Sequence, residues 1–262
     1  MDHPVRLAHA ISPEPRPCKI CKSALNLFGV ADFSHRGKMS NGIEPPLTGM
    51  PVYYRRCGRC GFLFTEAFDD WTTEEFSEHI YNEEYLLIDF EYRFDRPAAN
   101  AARLIELFGK QCKTLSLLDY GCGNGVMIDQ LRKAGFADCE GYDPISPDFS
   151  RRPDRRFNII ASIETLEHVP NPAKFVEDVD TFSDDRSIIL FTTLVQPKNF
   201  DEIGLNWWYV APRSGHISLH SKTSLTRLWN DRGFTVMSNG DNFHIAFRTI
   251  PDFAKHLIRP AN

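Results

Sequence analysis

From Leu115 to Leu131 the chain reads LSLLDYGCGNGVMIDQL. A short apolar run ends on Asp119, three glycines alternate at 121, 123 and 125, and apolar residues three and four apart follow from Val126. That order predicts a buried strand, a tight turn and a helix. The same alternation continues along the chain. CEGYD and FNIIASI read as strands, NPAKFVEDVDTF as a helix, SIILFTT as a strand and SKTSLTRLWNDRGF as a helix opened by Ser221 and closed at Gly233. TVMSNG and HIAFRTI read as late strands, antiparallel to each other. Upstream, DRPAANAARLIELFG reads as a helix with Asp95 as its N-cap, Pro97 in its first turn and Gly109 at its end. Strands alternating with helices predict an α/β fold, a mainly parallel sheet with helices on both faces.

In such a sheet a ligand binds beyond the carboxyl ends of the strands, at the strand-to-helix turn. Glycines there let main chain approach the ligand and adopt positive φ without a Cβ clash. The spacing says which ligand. A dinucleotide fingerprint is G-x-G-x-x-G, but here Val126 stands where its third glycine belongs. Asp119, just before the turn, would repel a pyrophosphate and attract an ammonium group. In GYDP, Asp143 ends the second strand, where a carboxylate accepts hydrogen bonds from ribose hydroxyls. A molecule with an amino-acid end and a ribose end fits S-adenosylmethionine (SAM).

LLDYGCGNG, GYDP and FNIIASIETLEHVPNP, in that order, resemble the class I SAM-dependent methyltransferases across residues 97–250. The resemblance implies a Rossmann-like sheet and a cofactor site of Asp119, Gly121, Cys122, Gly123, Asp143, Pro144 and Ile163. Asp119 would reach the methionine amino group, Gly121 and Gly123 would pass under the methionine, and Asp143 would hold the ribose. Pro144 and Ile145 would pack against the base. One departure stands out. Between Asp143 and Phe157 the chain is PISPDFSRRPDRR, with no apolar run where the family has its third strand. The cluster Arg151, Arg152, Arg155 and Arg156 reads as a solvated loop, with a contact to an anionic substrate as the alternative.

The 262 residues suffice for one large domain plus a small appendage, and 42% hydrophobic with 25% charged residues is ordinary for a globular chain. A net charge of -5 gives no global field that would gather nucleic acid. No apolar run reaches the roughly 20 residues of a membrane span, and MDHPVRLAHAISPEP lacks a signal peptide's apolar centre. The expected location is the cytoplasm. There, four of the seven cysteines, paired as Cys18/Cys21 and Cys57/Cys60, read as two knuckles of a structural zinc site rather than as disulfides. The pairs resemble the zinc-ribbon-like N-terminal module of some methyltransferases, including sugar C-methyltransferases. The expected division is a zinc-binding module at 1–67, a helical connector and cofactor lid at 68–96 carrying Tyr81 and Tyr85, and a methyltransferase domain at 97–262.

Methyl transfer aligns a nucleophile and, where that is a hydroxyl, removes its proton. Glu164, Glu167 and His168 form E-x-x-E-H, three and four apart, so their side chains can share one face. The block resembles the ubiquinone-pathway O-methyltransferases and the small-RNA 2'-O-methyltransferases. That resemblance implies a divalent cation at Glu164, Glu167 and His168, Mg²⁺ if carboxylates dominate and Mn²⁺ or Zn²⁺ if histidines do. The plainer reading is a loop-tethering structural role for Glu167 and His168, and the third is a substrate contact. His216 is the candidate general base, with capping of the next helix as its alternative, and His220 is peripheral. Trp207, Trp208 and Tyr209 form either a substrate wall or lid packing. The expected function is SAM-dependent methyl transfer to a small molecule such as a sugar, a quinol or another metabolite. RNA or protein acceptors are the alternative within enzymes, and a non-catalytic zinc-bearing binding module is the alternative outside them.

Overall fold

A computed structural model describes residues 16–35, 46–83, 85 and 89–258. The signal-peptide reading of the first fifteen residues lies outside the described residues. In chain order come strands β1 (Leu25–Asp32), β2 (Pro51–Cys57) and β3 (Leu63–Thr65), then helices α1 (Thr73–His79) and α2 (Asp95–Phe108). Strand β4 (Ser116–Tyr120), helix α3 (Val126–Lys133), strands β5 (Asp138–Tyr142) and β6 (Ile159–Ser162), helix α4 (Pro172–Thr181) and strand β7 (Ile188–Thr192) follow. Helix α5 (Phe200–Ile203), strand β8 (Ser218–Leu219), helix α6 (Lys222–Asn230) and strands β9 (Thr235–Asn239) and β10 (Phe243–Phe247) complete the set used below.

The main sheet has the order β5-β4-β6-β7-β10-β9. Strands β5, β4, β6 and β7 run parallel, and β10 is antiparallel to both β7 and β9. Leu117, Leu118, Ile159, Ile160 and the whole apolar part of β7 are buried, which explains why these strands read as continuous apolar runs: both faces are covered. Ala101, Leu104 and Phe108 of α2 and Ile128 and Leu131 of α3 cover one face. Phe175, Val176 and Val179 of α4 and Leu225 and Trp229 of α6 cover the other.

The helix ends follow their local chemistry. Asn171 caps α4 by accepting from Lys174 N–H, with Pro172 in the first turn. Ser221 and Ser224 cap α6 reciprocally. Asp95 does not cap α2. It is the first helical residue, and Phe94, which cannot accept a hydrogen bond through its side chain, stands at the cap. At that place the Asp95 charge meets the positive end of the helix dipole.

Residues 143–156 form no strand, so β5 is the edge of the sheet. Phe149 turns back onto β5 and its N–H and carbonyl close the loop on Ser146 and Asp143. Two of the four loop arginines hold it down. Arg155 pairs with Asp138 and Glu140 along β5, and Arg152 pairs with Asp178 of α4. A charged fringe of this kind blunts an open edge against strand addition.

A second sheet has the order β1-β2-β3-β8, all antiparallel. Its last strand comes from far along the chain: Leu63 faces Leu219 and Phe64 faces Ser218. The cysteine knuckles with Phe62 and Phe64 also share one apolar core with Phe175 and Trp229. Ser221 Oγ donates to Cys60 O at 2.6 Å, and Gln196 Nε2 donates to Gly61 O at 2.8 Å. Ser221 therefore serves as cap and as clamp. Ser221→Ala is expected to destabilise the fold by about 1–2 kcal/mol, read by urea denaturation, and an unchanged midpoint would contradict that double role.

Candidate functional site

Because β4, β5 and β6 are parallel and in register, their carboxyl ends meet along one edge. There the turn after β4 is tied to β5. Gly121 N–H donates to Tyr142 O at 2.7 Å, and Gly123 N–H donates to Asp143 Oδ2 at 2.9 Å. Gly121 has φ 84°, and a Cβ on it would stand 2.5 Å from Thr165 Oγ1. No other residue type meets both demands. Above this edge lies a cavity of about 600 Å³. Asp119, Gly121, Cys122, Gly123, Asp143, Pro144 and Ile163 line it, as do Glu164, His168 and His216. The fold thus brings every residue expected in the cofactor and catalytic sets to one cavity.

Asp119 is 2% exposed. Burial, and next the charge of Asp143, pushes its carboxyl well above the usual carboxylate range. Among the described residues no hydrogen bond or ion pair reaches that carboxyl group, although it borders the cavity. A buried acid without a partner is costly unless a cation or a donor arrives. Asp143 differs. Its Oδ1 accepts from Ile145 N–H at 2.8 Å and its Oδ2 from Gly123, so its direction is set and Oδ2 keeps a free lone pair.

Two residues of the cavity wall, His168 and His216, belong to a second group. Glu167, His168 and His216 place one ligand atom each within 4.8 Å of one another. Glu167 is fully buried, and burial, reinforced by Glu164, raises its pKa well above normal. Its Oε1 accepts from Tyr209 OH at 2.5 Å, while Oε2 is buried without a partner. His168 Nδ1 is also buried without a partner, and burial, with His216 next, pulls its pKa well down. His216 Nδ1 lies 3.0 Å from Tyr209 O. A carbonyl only accepts, so Nδ1 carries the proton and Nε2 the lone pair. Burial lowers the His216 pKa to about 4. Gly215, φ 80°, is needed beside it, because a Cβ there would stand 2.8 Å from His168 Nδ1.

Of the residues expected to hold a cation, Glu167 and His168 are grouped with His216 and not with Glu164. Glu164 turns aside: its N–H and its Oε1 both bond to Thr192 Oγ1 at 2.8 Å. It does so in the left-handed region, at φ 49°, a conformation that costs a non-glycine residue about 1–3 kcal/mol and needs support from its surroundings. His216 is the third member of the group that could hold a metal ion. The capping alternative for His216 falls away as well, since Ser221 caps α6. His220 is not at the cavity but is wholly buried against Phe62.

The expected lid residues Tyr81 and Tyr85 line the cavity, and Tyr92, passed over in the sequence, joins them in a row of rings spaced 5.4 and 5.2 Å. Tyr92 OH stands 3.0 Å from where a Cβ of Gly123 would be. Arg96, also unforeseen, grips Asp89 with both terminal nitrogens at 2.8 and 2.9 Å. Of the aromatic triplet, Trp207 and Tyr209 are buried packing and Trp208 is exposed.

Apart from the cavity, Cys18, Cys21, Cys57 and Cys60 are all buried with their sulfurs gathered within 4.8 Å. Cys18 and Cys60 sulfurs are 3.7 Å apart and Cys21 and Cys57 sulfurs 3.3 Å. Ligands at a Zn–S length of about 2.3 Å in a tetrahedron stand about 3.8 Å apart, so the cluster is compatible with one metal ion.

The family described as "Methyltransferase domain" matches residues 91–239 of the chain. Among solved structures, the magnesium protoporphyrin IX methyltransferase of Synechocystis PCC 6803 with bound SAH is similar at 15% identity and TM-score 0.44, covering 59% of this chain and 82% of that one. DesVI of Streptomyces venezuelae aligns at 14% identity and TM-score 0.43, over 63% and 97%. The plantazolicin methyltransferase BpumL in complex with SAH aligns at 14% and 0.45, over 64% and 90%. No curated protein sequence matches.

His220 provides a pH test. Both its ring nitrogens lack partners, and burial lowers its pKa from 6.5 to about 3. The unfolded chain therefore binds this proton first, so stability from neutral His220 is complete above pH 6.5 and is lost as pH falls toward 3. His220→Phe, which keeps an aromatic ring against Phe62, is expected to flatten the acid side of the stability profile by up to one proton's slope. Urea denaturation across this range reads it, and identical slopes would contradict it.

Proposed function

The chain belongs to the methyltransferase-domain family, and from that premise we propose that it transfers the methyl group of SAM to a small-molecule acceptor such as a sugar, a quinol or another metabolite. The observation that carries this reading is the buried, unpartnered carboxyl of Asp119 facing a cavity of about 600 Å³, a size within the range of small-molecule sites. The residues fit the cofactor at both ends. Asp119 would receive the methionine ammonium, which relieves an otherwise uncompensated acid. Asp143, already aimed by Gly123 and Ile145, would accept from a ribose hydroxyl through Oδ2. SAM supplies a methyl group activated by its sulfonium charge. The chain's part is to orient that methyl, exclude water and hold the acceptor in line.

At the acceptor end, His216 offers its Nε2 lone pair as general base, and its lowered pKa keeps it neutral at physiological pH. A second reading is favoured by two buried atoms without partners, Glu167 Oε2 and His168 Nδ1. With His216 Nε2 they would hold a divalent cation, and two imidazoles with one carboxylate suit Mn²⁺, Fe²⁺ or Zn²⁺ better than Mg²⁺. In that case His216 is a ligand rather than a base. The four cysteines would hold a separate, structural Zn²⁺. Residues 1–67 are its module in this reading, 68–96 the lid and 97–262 the catalytic domain.

Asp119→Asn is expected to weaken SAM binding at least about tenfold, or 1.4 kcal/mol, by calorimetry, while leaving the ligand-free protein no less stable at neutral pH. Equal affinity in both proteins would sink the assignment of the ammonium. Labelled-methyl transfer from SAM into fractionated small molecules would then identify the acceptor. Metal analysis separates the two metal sites. Protein purified without chelator is expected to carry one zinc that Cys57→Ser removes, and to bind Mn²⁺ in a site that His216→Ala removes and Cys57→Ser leaves. Zinc-free protein at full stability would overturn the first site.

A further inference from the structure

We propose that Tyr209 is the positioning residue of the acceptor end, fixing Glu167 with its hydroxyl and His216 with its main-chain carbonyl. The inference deepens the reading of Glu167, His168 and His216 as a cation or base cluster and rests on it.

Tyr209 lies in the segment between α5 and β8, wholly buried, with Trp207 and Trp208 against its ring at 5.2 and 5.3 Å. Its hydroxyl accepts from Leu194 N–H at 3.2 Å, so the main chain just beyond β7 sets where the oxygen sits. The hydroxyl proton goes to Glu167 Oε1 at 2.5 Å. One carboxylate oxygen is thereby occupied, and Oε2 is the one left for the cluster. The same residue's carbonyl takes the His216 Nδ1 proton at 3.0 Å, and its ring packs 4.2 Å from the imidazole. This leaves Nε2 as the exposed lone pair. One residue therefore decides which oxygen and which nitrogen two separate side chains present.

Simple packing does not account for the hydroxyl. Phenylalanine would fill the same space but leave Glu167 Oε1 buried without its donor. Nor does Tyr209 line the cavity, so its hydroxyl acts through Glu167 and not on substrate. Such an outer partner of a ligand commonly changes metal affinity by about 10–100-fold when removed.

The test compares wild type, Tyr209→Phe and Tyr54→Phe. Tyr54 is an equally buried phenol whose hydroxyl donates to His216 O at 3.2 Å, away from the ring. Each protein is titrated with Mn²⁺ by electron paramagnetic resonance and with SAM by calorimetry. Tyr209→Phe should bind Mn²⁺ about 10–100-fold more weakly with SAM affinity unchanged, and Tyr54→Phe should leave both unchanged. Equal Mn²⁺ affinity in Tyr209→Phe and wild type, or equal loss in both variants, overturns the proposal. If wild type binds SAM but no Mn²⁺, the cation reading alone fails. Labelled-methyl transfer then decides: a fall in kcat at unchanged KM for SAM, in Tyr209→Phe only, supports Tyr209, and an unchanged kcat overturns it. Should Tyr209→Phe unfold, 3-fluorotyrosine at 209 keeps the ring and the hydrogen bond with a more acidic proton. A shift in Mn²⁺ affinity supports the proposal and none overturns it.

Discussion

The Gly123 N–H held by the Asp143 carboxylate ties the end of one parallel strand to the turn at the end of its neighbour. Together with the Gly121 N–H bond to Tyr142 O, it fixes the bare main chain after β4 over the cavity. With it, Asp119 and Asp143 are kept on the same edge as two acids of different character. Asp143 is saturated enough with N–H donors to be rigid, whereas Asp119 is dry and unpartnered among the described residues. A site that holds two nearby carboxyl groups, neither of them ion-paired among the described residues, is arranged for a ligand that brings a cation.

The acceptor end depends on a different brace. Ile217 N–H donates to Glu167 O at 2.9 Å, Ser218 Oγ to Val169 O at 2.7 Å and Lys19 Nζ to Pro170 O at 2.8 Å. The E-x-x-E-H loop is thus hung from β8 and from a lysine between the first two cysteines. The small sheet and its knuckles are the wall against which the loop is set, more than an appendage beside the catalytic fold.

What the sequence discloses is what lies close together along it. The strand–turn–helix at 115–131, Asp119, Asp143, the knuckle spacing and the serine cap each depend on neighbours a few residues away, so pattern alone finds them. The missing strand after Asp143 is equally visible, because a stretch without apolar residues has nothing to bury. The convergence of His216 on Glu167, the clasp of Tyr209 on both and the pull of Thr192 on Glu164 depend on which chain segments the folded sheet brings side by side. E-x-x-E-H suggested that its own three members cooperate, but the turn at Glu164 sends one of them away. Tyr92 and Arg96 sat in an acidic, aromatic segment whose composition masks single contacts. Asp95 misled because a good capping residue one position too late becomes a helical residue.

The join between Leu63–Phe64 and Ser218–Leu219 also has a temporal meaning. On the ribosome the four cysteines emerge close to one another and well ahead of β8, so they can gather before the strand that completes their sheet exists. Their sheet, however, stays one strand short until Ser218 and Leu219 have been translated. During that interval the outer edge of β3 presents unpaired main chain, and closing it crosses a long contour of sequence. The fastening of this sheet therefore waits on a strand from far downstream, after its other three strands and both knuckles have been made.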